Sequence, residues 1–354
     1  MILIKVLIVD DSAVVRKVLT EELSKFSDIT VVGSAPDAYV AREKIVKLMP
    51  DVITLDIEMP RMDGLTFLEK LMKHFPIPVV IVSSLAPRNS DNAIKAMALG
   101  AVEIVNKTGS QYSLPDVAGN LVRAIRTAAG AKVFTRKASL KPAAGKEPFP
   151  LKPVSDEFKE FKLQTTHRII AIGASTGGTQ ATETVLKSLG PDSPGIVIVQ
   201  HMPEGFTSFY AKRLNDVCAI EVREAKDEDY LVPGVALLAP GGKHLLLQKS
   251  GARYFVKIKD GPQVHHQKPS VDVLFQSAAR SAGRNAVGVI LTGMGSDGAA
   301  GLLEMKKCGA HTIAQDEKTC VVFGMPKEAI CMGAVEEVLP LEDIAGAMVK
   351  AAMK

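Results

Sequence analysis

Tryptophan is absent from this chain and aromatic residues make up only 5% of it, so its cores must be built from Val, Ile, Leu, Ala and Met. No dense lysine–arginine stripe interleaved with aromatics occurs, and the net charge of +4 over 354 residues is mild, which argues against a nucleic-acid partner. Cysteine is scarce too. Cys218, Cys308, Cys320 and Cys331 form no Cys-x-x-Cys pair and match no zinc framework, so reduced and mostly buried thiols are expected. Long apolar runs are also missing: the opening MILIKVLIVDDS is broken by Asp10 and Asp11, is too short to span a bilayer and lacks a signal-peptide cleavage pattern. The expectation is a cytoplasmic monomer that does not insert into membranes.

What is present is the composition of a globular protein, 47% hydrophobic and 23% charged, with length for two domains of ordinary size. Residues 1–128 alternate short β-branched runs (Ile2–Val9, Ile29–Ser34, Val52–Leu55, Pro78–Ser83, Val102–Val105) with amphipathic helical stretches. Strands separated by helices predict a doubly wound parallel sheet covered on both faces. Across residues 129–165 that pattern dissolves into proline and lysine without an apolar period, which reads as a linker. Alternation resumes over residues 166–354, with buried strands expected at Ile169–Ile172, Ile196–Val199, Ala286–Leu291 and Thr312–Ala314. Within it, Val235–Lys259 reads as an antiparallel insertion turned by Gly-Gly and Gly-Ala. The expected fold class is therefore α/β, with two doubly wound domains, the second of α/β hydrolase type with a β-hairpin insertion.

In an open parallel sheet, ligands bind outside the carboxyl ends of the strands. Asp10 and Asp11 follow the first strand and Asp56 ends the third, so three carboxylates converge at one edge. Such a cluster calls for a hard divalent cation, and oxygen-only ligands point to Mg²⁺. Ser83 ends the fourth strand and Lys107 the fifth, adding a hydroxyl and a cation to the same edge.

The second domain opens with RIIAIGASTGGTQ, a buried strand running into a glycine-rich turn that carries Ser175. It has neither G-x-G-x-x-G nor a Gly-Lys-Ser/Thr ending, which weakens a nucleotide-binding reading. The segment Gly173–Gly177 does match G-x-S-x-G, the turn that presents a serine nucleophile. A serine there needs a base and a group to orient it. The next strand, GIVIVQ, ends at His201, and AVGVILTGMGSDGAAG runs a further strand into a glycine-rich turn carrying Asp297. Ser, His and Asp thus each stand at a strand's carboxyl end, in an order unlike the Ser…Asp…His of α/β-hydrolases. His244, His265, His266 and His311 compete as bases, but His201 is preferred because it shares the nucleophile's strand edge. Metal-dependent hydrolysis lacks a His-x-x-x-His or a clear His/Asp ligand set.

The five strand-end residues, with DVITLDIEMPRMDGLTFLEKL, resemble the receiver domain of two-component response regulators over residues 1–128. That resemblance implies a flavodoxin-like fold in which Asp56 takes a phosphoryl group from a chemotaxis histidine kinase. Asp10, Asp11 and Asp56 would hold Mg²⁺, and Ser83 and Lys107 would contact the phosphoryl oxygens. Thr108 stands where the family usually has proline, and Ile104 where an aromatic often serves the switch. The strings GASTGGT, QHMP, PGGKH, KPSVDVLF, LTGMGSDGAAG and VVFGMPKEAI together resemble the chemotaxis protein-glutamate methylesterase family. By that resemblance Ser175 is the nucleophile, His201 the base and Asp297 its orienter. The backbone at Met294 and amides near Ser175 and Thr176 form the oxyanion hole, and no cofactor serves the esterase. It further implies phosphorylation-activated hydrolysis of glutamate methyl esters on chemotaxis receptors, and deamidation of certain glutamines. Gln267 and Lys268, which depart from the family's residues before PSVD, are expected on the substrate side. The rival class is a non-enzymatic regulator whose second domain only binds a partner or nucleotide.

Overall fold

A computed structural model of the chain describes residues 3–83, 87–107, 114–133 and 168–353. Most of the expected linker and Thr108 lie outside these residues.

The first domain consists of β1 (Ile4–Val9), α1 (Ala13–Leu23), β2 (Ile29–Ala35), α2 (Ala38–Leu48), β3 (Val52–Leu55), α3 (Gly64–His74), β4 (Val79–Ser83), α4 (Pro87–Leu99), β5 (Glu103–Asn106) and α5 (Leu114–Ala129). The strands form one parallel sheet in the order β2-β1-β3-β4-β5. Successive side chains of a strand point to opposite faces, and both faces are covered here. Val6 and Ile8 of β1 pack with Leu19 and Leu23 of α1 and Leu121 and Ile125 of α5. Leu7 and Val9 pack with Ala41 and Ile45 of α2 and Leu68 of α3. Two-sided burial explains why these strands read as continuous apolar runs. Asp37 and Asp63 cap α2 and α3 by accepting backbone N–H groups, which fixes where those helices begin.

The second domain consists of β6 (Ile169–Ala174), α6 (Gly178–Lys187), β7 (Gly195–Gln200), α7 (Thr207–Val217), β8 (Glu221–Glu224), β9 (Tyr230–Leu231), β10 (Val235–Leu238), β11 (His244–Ser250) and β12 (Arg253–Lys259). It continues with α8 (Val271–Ala282), β13 (Ala286–Ile290), α9 (Ala299–Lys307), β14 (His311–Gln315), α10 (Met325–Cys331), β15 (Glu337–Leu339) and α11 (Leu341–Met353). Seven parallel strands run in the order β15-β14-β13-β6-β7-β10-β8. From β6 the chain first builds outward through β7, then returns to lay β13 on the other side of β6. That reversal opens a crevice at the carboxyl ends of β13, β6 and β7, where a doubly wound sheet binds its ligand.

The expected insertion over Val235–Lys259 is corrected in one respect. Val235–Leu238 is a strand of the main sheet, lying between β7 and β8, and only β11 and β12 form the hairpin, joined to β9. The difference is one of burial. All of VALL is buried, as a central parallel strand requires, whereas β11 leaves alternate residues partly exposed. The hairpin closes through Gly251 and Ala252, with Gly251 at φ 59. Strands β8 and β15 carry no apolar run and escaped the pattern because they are partly exposed edges.

The two domains pack together. Helix α4 lies against α6 and α7, and Gln180 Nε2 donates to the Met97 carbonyl at 2.7 Å. Just after α5, Lys132 donates its backbone N–H to the Val321 carbonyl at 2.9 Å. These contacts set the start of β5 and the last turns of α5 over the crevice of the second sheet.

Candidate active site and phosphorylation site

In the first domain, β1 and β3 are neighbours, with Val9 opposite Leu55, so Asp10 and Asp56 emerge side by side. Asp10, Asp11 and Asp56 bring carboxylate oxygens within 4.8 Å of one another. Three oxygen donors at that spacing fit a hard divalent cation. Lys107 Nζ lies 2.8 Å from Asp10 Oδ2 and 2.6 Å from Asp56 Oδ2. Burial raises the Asp56 pKa above the usual carboxylate range against the pull of Lys107. Burial pulls the Lys107 ammonium down, but its bonds to Asp10 and Asp56 outweigh that and leave it above the ordinary lysine value. Ser83 is buried at the end of β4, and the Lys107 backbone N–H donates to its carbonyl at 2.8 Å. All five expected residues meet at one edge.

In the second domain, Ser175, His201 and Asp297 follow β6, β7 and β13, three adjacent strands. The His201 N–H donates to the Ala174 carbonyl at 3.0 Å, and the Ser175 N–H to the Thr292 carbonyl at 3.0 Å. The Ser175 turn is thereby tied to both neighbouring strand ends. His201 Nε2 lies 2.7 Å from Asp297 Oδ2, with the two side chains only 5% and 2% exposed. With an ionised Asp297, Nε2 carries the proton and Nδ1 keeps the lone pair. Nδ1 is buried without a hydrogen-bond partner among the described residues. A buried imidazole nitrogen with a free lone pair beside a serine-bearing turn has the chemistry a general base needs.

Asp297 is held from several directions. It accepts from Ser270 Oγ at 2.8 Å and from the backbone amides of Val271 and Asp272 at 2.8 and 3.0 Å. Those amides are the free donors at the start of α8, so a helix N-terminus faces the carboxylate. Burial pushes the Asp297 pKa up, yet the His201 bond and charge together with the amides win and leave it below the usual range. Asp297 is thus no cap of its own following helix, where Gly298 stands. It is an anion seated on α8.

Glycine is required beside the serine. A Cβ on Gly293 would lie 2.7 Å from Ser175 Cβ and 2.4 Å from Met325 Sδ. Gly177, the N-cap of α6, has φ 76, which turns the chain sharply after Ser175 and Thr176. Ser175 and Thr176 are both buried.

The competing histidines go elsewhere. His244 is buried, with Nε2 2.9 Å from the Pro262 carbonyl and Nδ1 accepting the Ser270 N–H, so it braces the loop that presents Ser270. His311 begins β14 at the far edge of the sheet and pairs with Glu336 and Glu337. His265 and His266 both have positive φ and form the tip of a tight turn. His265 bonds Asp272 at 3.0 Å and lies close enough to Asp272 and Asp297 to resemble a ligand trio. Asp297 is already committed to His201 and α8, and Asp272 to the Gly301 amide, so this trio is a braced loop. Lys268 Nζ bonds Asp260 Oδ1 and the Gly261 carbonyl, and Gln267 pairs its backbone with Val264. Both residues hold this loop's shape here.

Two neighbours of the site, Ser270 and Glu103, are not singled out by the sequence. Ser270 had a signal that could have been read: it starts the helical segment SVDVLF as an N-cap. Glu103 had none. It stands at the start of β5, and its side chain, 16% exposed, reaches across the domain boundary to Thr176, whose Oγ1 lies 3.4 Å from Glu103 Oε2. Arg123 of α5 flanks it at 3.3 Å. Burial raises the Glu103 pKa, with Arg123, Thr176 and the His201 charge opposing. Met294 is 45% exposed, and its Sδ contacts Thr127 Oγ1 of α5 at 2.6 Å. The first domain therefore touches both Thr176, next to Ser175, and Met294 of the second domain.

Known proteins share both halves. The model of the CheB methylesterase family matches residues 170–348, and that of the response regulator receiver domain matches residues 6–118. A protein of Syntrophus aciditrophicus named protein-glutamate methylesterase/protein-glutamine glutaminase 2 is 59% identical over 98% of this chain and 98% of its own. One of the same name from Chromobacterium violaceum is 53% identical over 98% of this chain and 99% of its own. The crystal structure of the Thermotoga maritima CheB methylesterase catalytic domain is 37% identical and superimposes with a TM-score of 0.51, covering 52% of this chain and 98% of that one.

Proposed function

The chain belongs to the CheB methylesterase family, with a receiver domain ahead of the esterase, and we propose that it is a phosphorylation-activated protein-glutamate methylesterase and glutaminase working through Ser175, His201 and Asp297. The observation that carries this reading is the buried His201–Asp297 pair, with Nδ1 left without a hydrogen-bond partner among the described residues beside the Ser175 turn. A second domain that only bound a partner would have no use for that arrangement.

Ser175 Oγ attacks the methyl-ester carbonyl of a receptor glutamate while His201 Nδ1 takes its proton. The oxyanion forms against the Thr176 amide and the backbone at Met294, commonly the largest single contribution to such catalysis. Methanol leaves with the proton from His201, and water then hydrolyses the acyl-enzyme. A glutamine side chain follows the same route with ammonia as the leaving group. Asp297, fixed by α8, holds the imidazole and stabilises its charged form. No cofactor takes part in the esterase step.

Residues 1–128 form the receiver, 129–165 the linker and 166–354 the esterase. A chemotaxis histidine kinase phosphorylates Asp56, and chemotaxis receptors are the substrate. Asp10, Asp11 and Asp56 would hold Mg²⁺, which shields the carboxylates from the incoming phosphoryl group. Ser83 and Lys107 contact its oxygens. At rest, Glu103 and Thr127 cover Thr176 and Met294 and keep a helical receptor out. Phosphorylation converts the Asp56 carboxylate into an acyl phosphate carrying about −1.5 to −2 charges, next to Lys107, which follows the strand that carries Glu103. No helix among the described residues is long and apolar enough to cross a membrane, in keeping with work in the cytoplasm on the inner parts of receptors. Methanol release from a methylated receptor fragment, with Ser175→Ala as the control, tests this reading. A folded Ser175→Ala protein that releases methanol at the normal rate would sink it.

A further inference from the structure

Gln200 precedes the base and is 2% exposed. Its Nε2 donates to the Ser175 carbonyl at 2.8 Å and to the His201 carbonyl at 3.2 Å. Both hydrogens of one amide nitrogen are thus placed on the backbone of the two reacting residues. Its Oε1 is buried with no hydrogen-bond partner among the described residues. Burying an unpaired amide oxygen is unfavourable, and a methionine could fill the space without that penalty. What a methionine cannot do is donate twice.

The consequence follows from the planarity of the peptide bond. In a trans peptide, the carbonyl of one residue and the N–H of the next point in opposite directions. The Ser175 carbonyl is drawn inward by Gln200 and by the Gly178 N–H at 2.7 Å. The Thr176 N–H must then point the other way, out of the core. The following peptide is held likewise: the single Thr292 hydroxyl hydrogen faces the Thr176 carbonyl at 3.0 Å and the Val322 carbonyl at 3.2 Å, and the nearer contact turns the Gly177 N–H outward. Thr292 is itself buried, and Gln315 Oε1 accepts its backbone N–H at 2.8 Å.

We infer that Gln200 and Thr292 are positioning residues that aim the Thr176 and Gly177 amides at the developing oxyanion, an inference that rests on the serine-esterase reading above. Neither touches substrate. They set the direction of donors that would otherwise be free to rock with the turn, and donors fixed before the reaction cost no reorganisation during it. Gln200 also ties the His201 backbone to the same anchor, so base and oxyanion donors keep one geometry.

The test uses the full chain activated with acetyl phosphate and Mg²⁺, on a methylated receptor fragment, with active sites counted by a fluorophosphonate. Gln200→Met keeps the volume and removes both donors. Its kcat per counted site should fall about 10²-fold, as for loss of one oxyanion donor, with KM within about twofold. Affinity for a trifluoromethyl ketone analogue of the glutamyl ester, which forms a tetrahedral oxyanion on serine, should fall by a similar factor. Thr292→Val should behave alike and Thr292→Ser should recover most of the loss, which keeps the inference testable if Gln200→Met does not fold. A kcat per site equal to wild type in Gln200→Met, or a loss carried by KM alone, overturns the positioning role while an inactive Ser175→Ala leaves the esterase reading standing. An active Ser175→Ala would remove both.

Discussion

If docking of the receiver keeps receptors out, a change that damages the docked interface alone should raise the resting rate. Thr127 is well placed for this. It is buried near the end of α5 with its hydroxyl against Met294 Sδ, while Met294 stands at the turn after Thr292 and Gly293. Thr127→Arg forces a longer, charged side chain into that contact. Overpacking of this kind costs about 1–3 kcal/mol, and the penalty applies only when the domains are docked. Taking about 2 kcal/mol, the ratio of open to closed enzyme rises about 30-fold. A gate resting at about 1:99 would move to about a quarter open, so demethylation by unphosphorylated Thr127→Arg should increase about twentyfold or more. The assay is methanol release from methylated receptor fragments before and after addition of acetyl phosphate and Mg²⁺. The activated rate should match wild type, because the triad is untouched. An unchanged resting rate in a variant whose activated rate is normal would refute the steric gate.

Further outcomes follow from the same geometry. His201→Ala should cost about as much turnover as Ser175→Ala, about 10⁶, and Asp297→Asn about 10⁴, each read as methanol released per active protein. Asp297 sits below its ordinary pKa, so the stability it contributes is present above the usual carboxylate range and is lost as pH falls through its depressed value. The gap in melting temperature between wild type and Asp297→Asn should therefore be full at neutral pH and close in acid; a gap that widens on acidification contradicts this. Asp56→Asn should hold the full chain at its resting rate whatever phosphodonor is supplied. Removing Mg²⁺ with a chelator should abolish labelling of Asp56 from acetyl phosphate but leave the turnover of residues 166–354 unchanged. Burial pushes the Cys320 thiol up to about 12, whereas Cys308 and Cys331 are exposed; mass spectrometry after brief alkylation at pH 8 should find the latter pair modified and Cys320 intact.

The sequence of this chain displays its buried strands and their ends. A parallel strand buried on both faces must be a short apolar run, so β1, β3, β4, β6, β7, β13 and β14 were visible, and the residue after each run had to lie at the sheet's carboxyl edge. That local rule was enough to bring Asp10, Asp56, Ser83 and Lys107 together, and likewise Ser175, His201 and Asp297. Where no such run exists, as in the partly exposed β8 and β15, the pattern was silent. It misassigned Val235–Leu238 because a buried central strand followed by Gly-Gly resembles one arm of a hairpin until its neighbours are known.

Other features depended on which distant groups share a space. That His201 turns Nε2 to Asp297 and leaves Nδ1 without a partner among the described residues is a matter of ring orientation, set by where α8 places the carboxylate. Ser270 and Gln200 act on residues 27 and 25 positions away, and Glu103 meets Thr176 across 73 residues and a domain boundary. A polar side chain looks the same in sequence whether it faces water or a particular buried carbonyl. Residue types at strand ends therefore determined the chemistry available to this protein, while the crossover that returns β13 beside β6 and the docking of α4 and α5 decided which atoms face one another, because hydrogen-bond direction and burial exist only between elements that have packed.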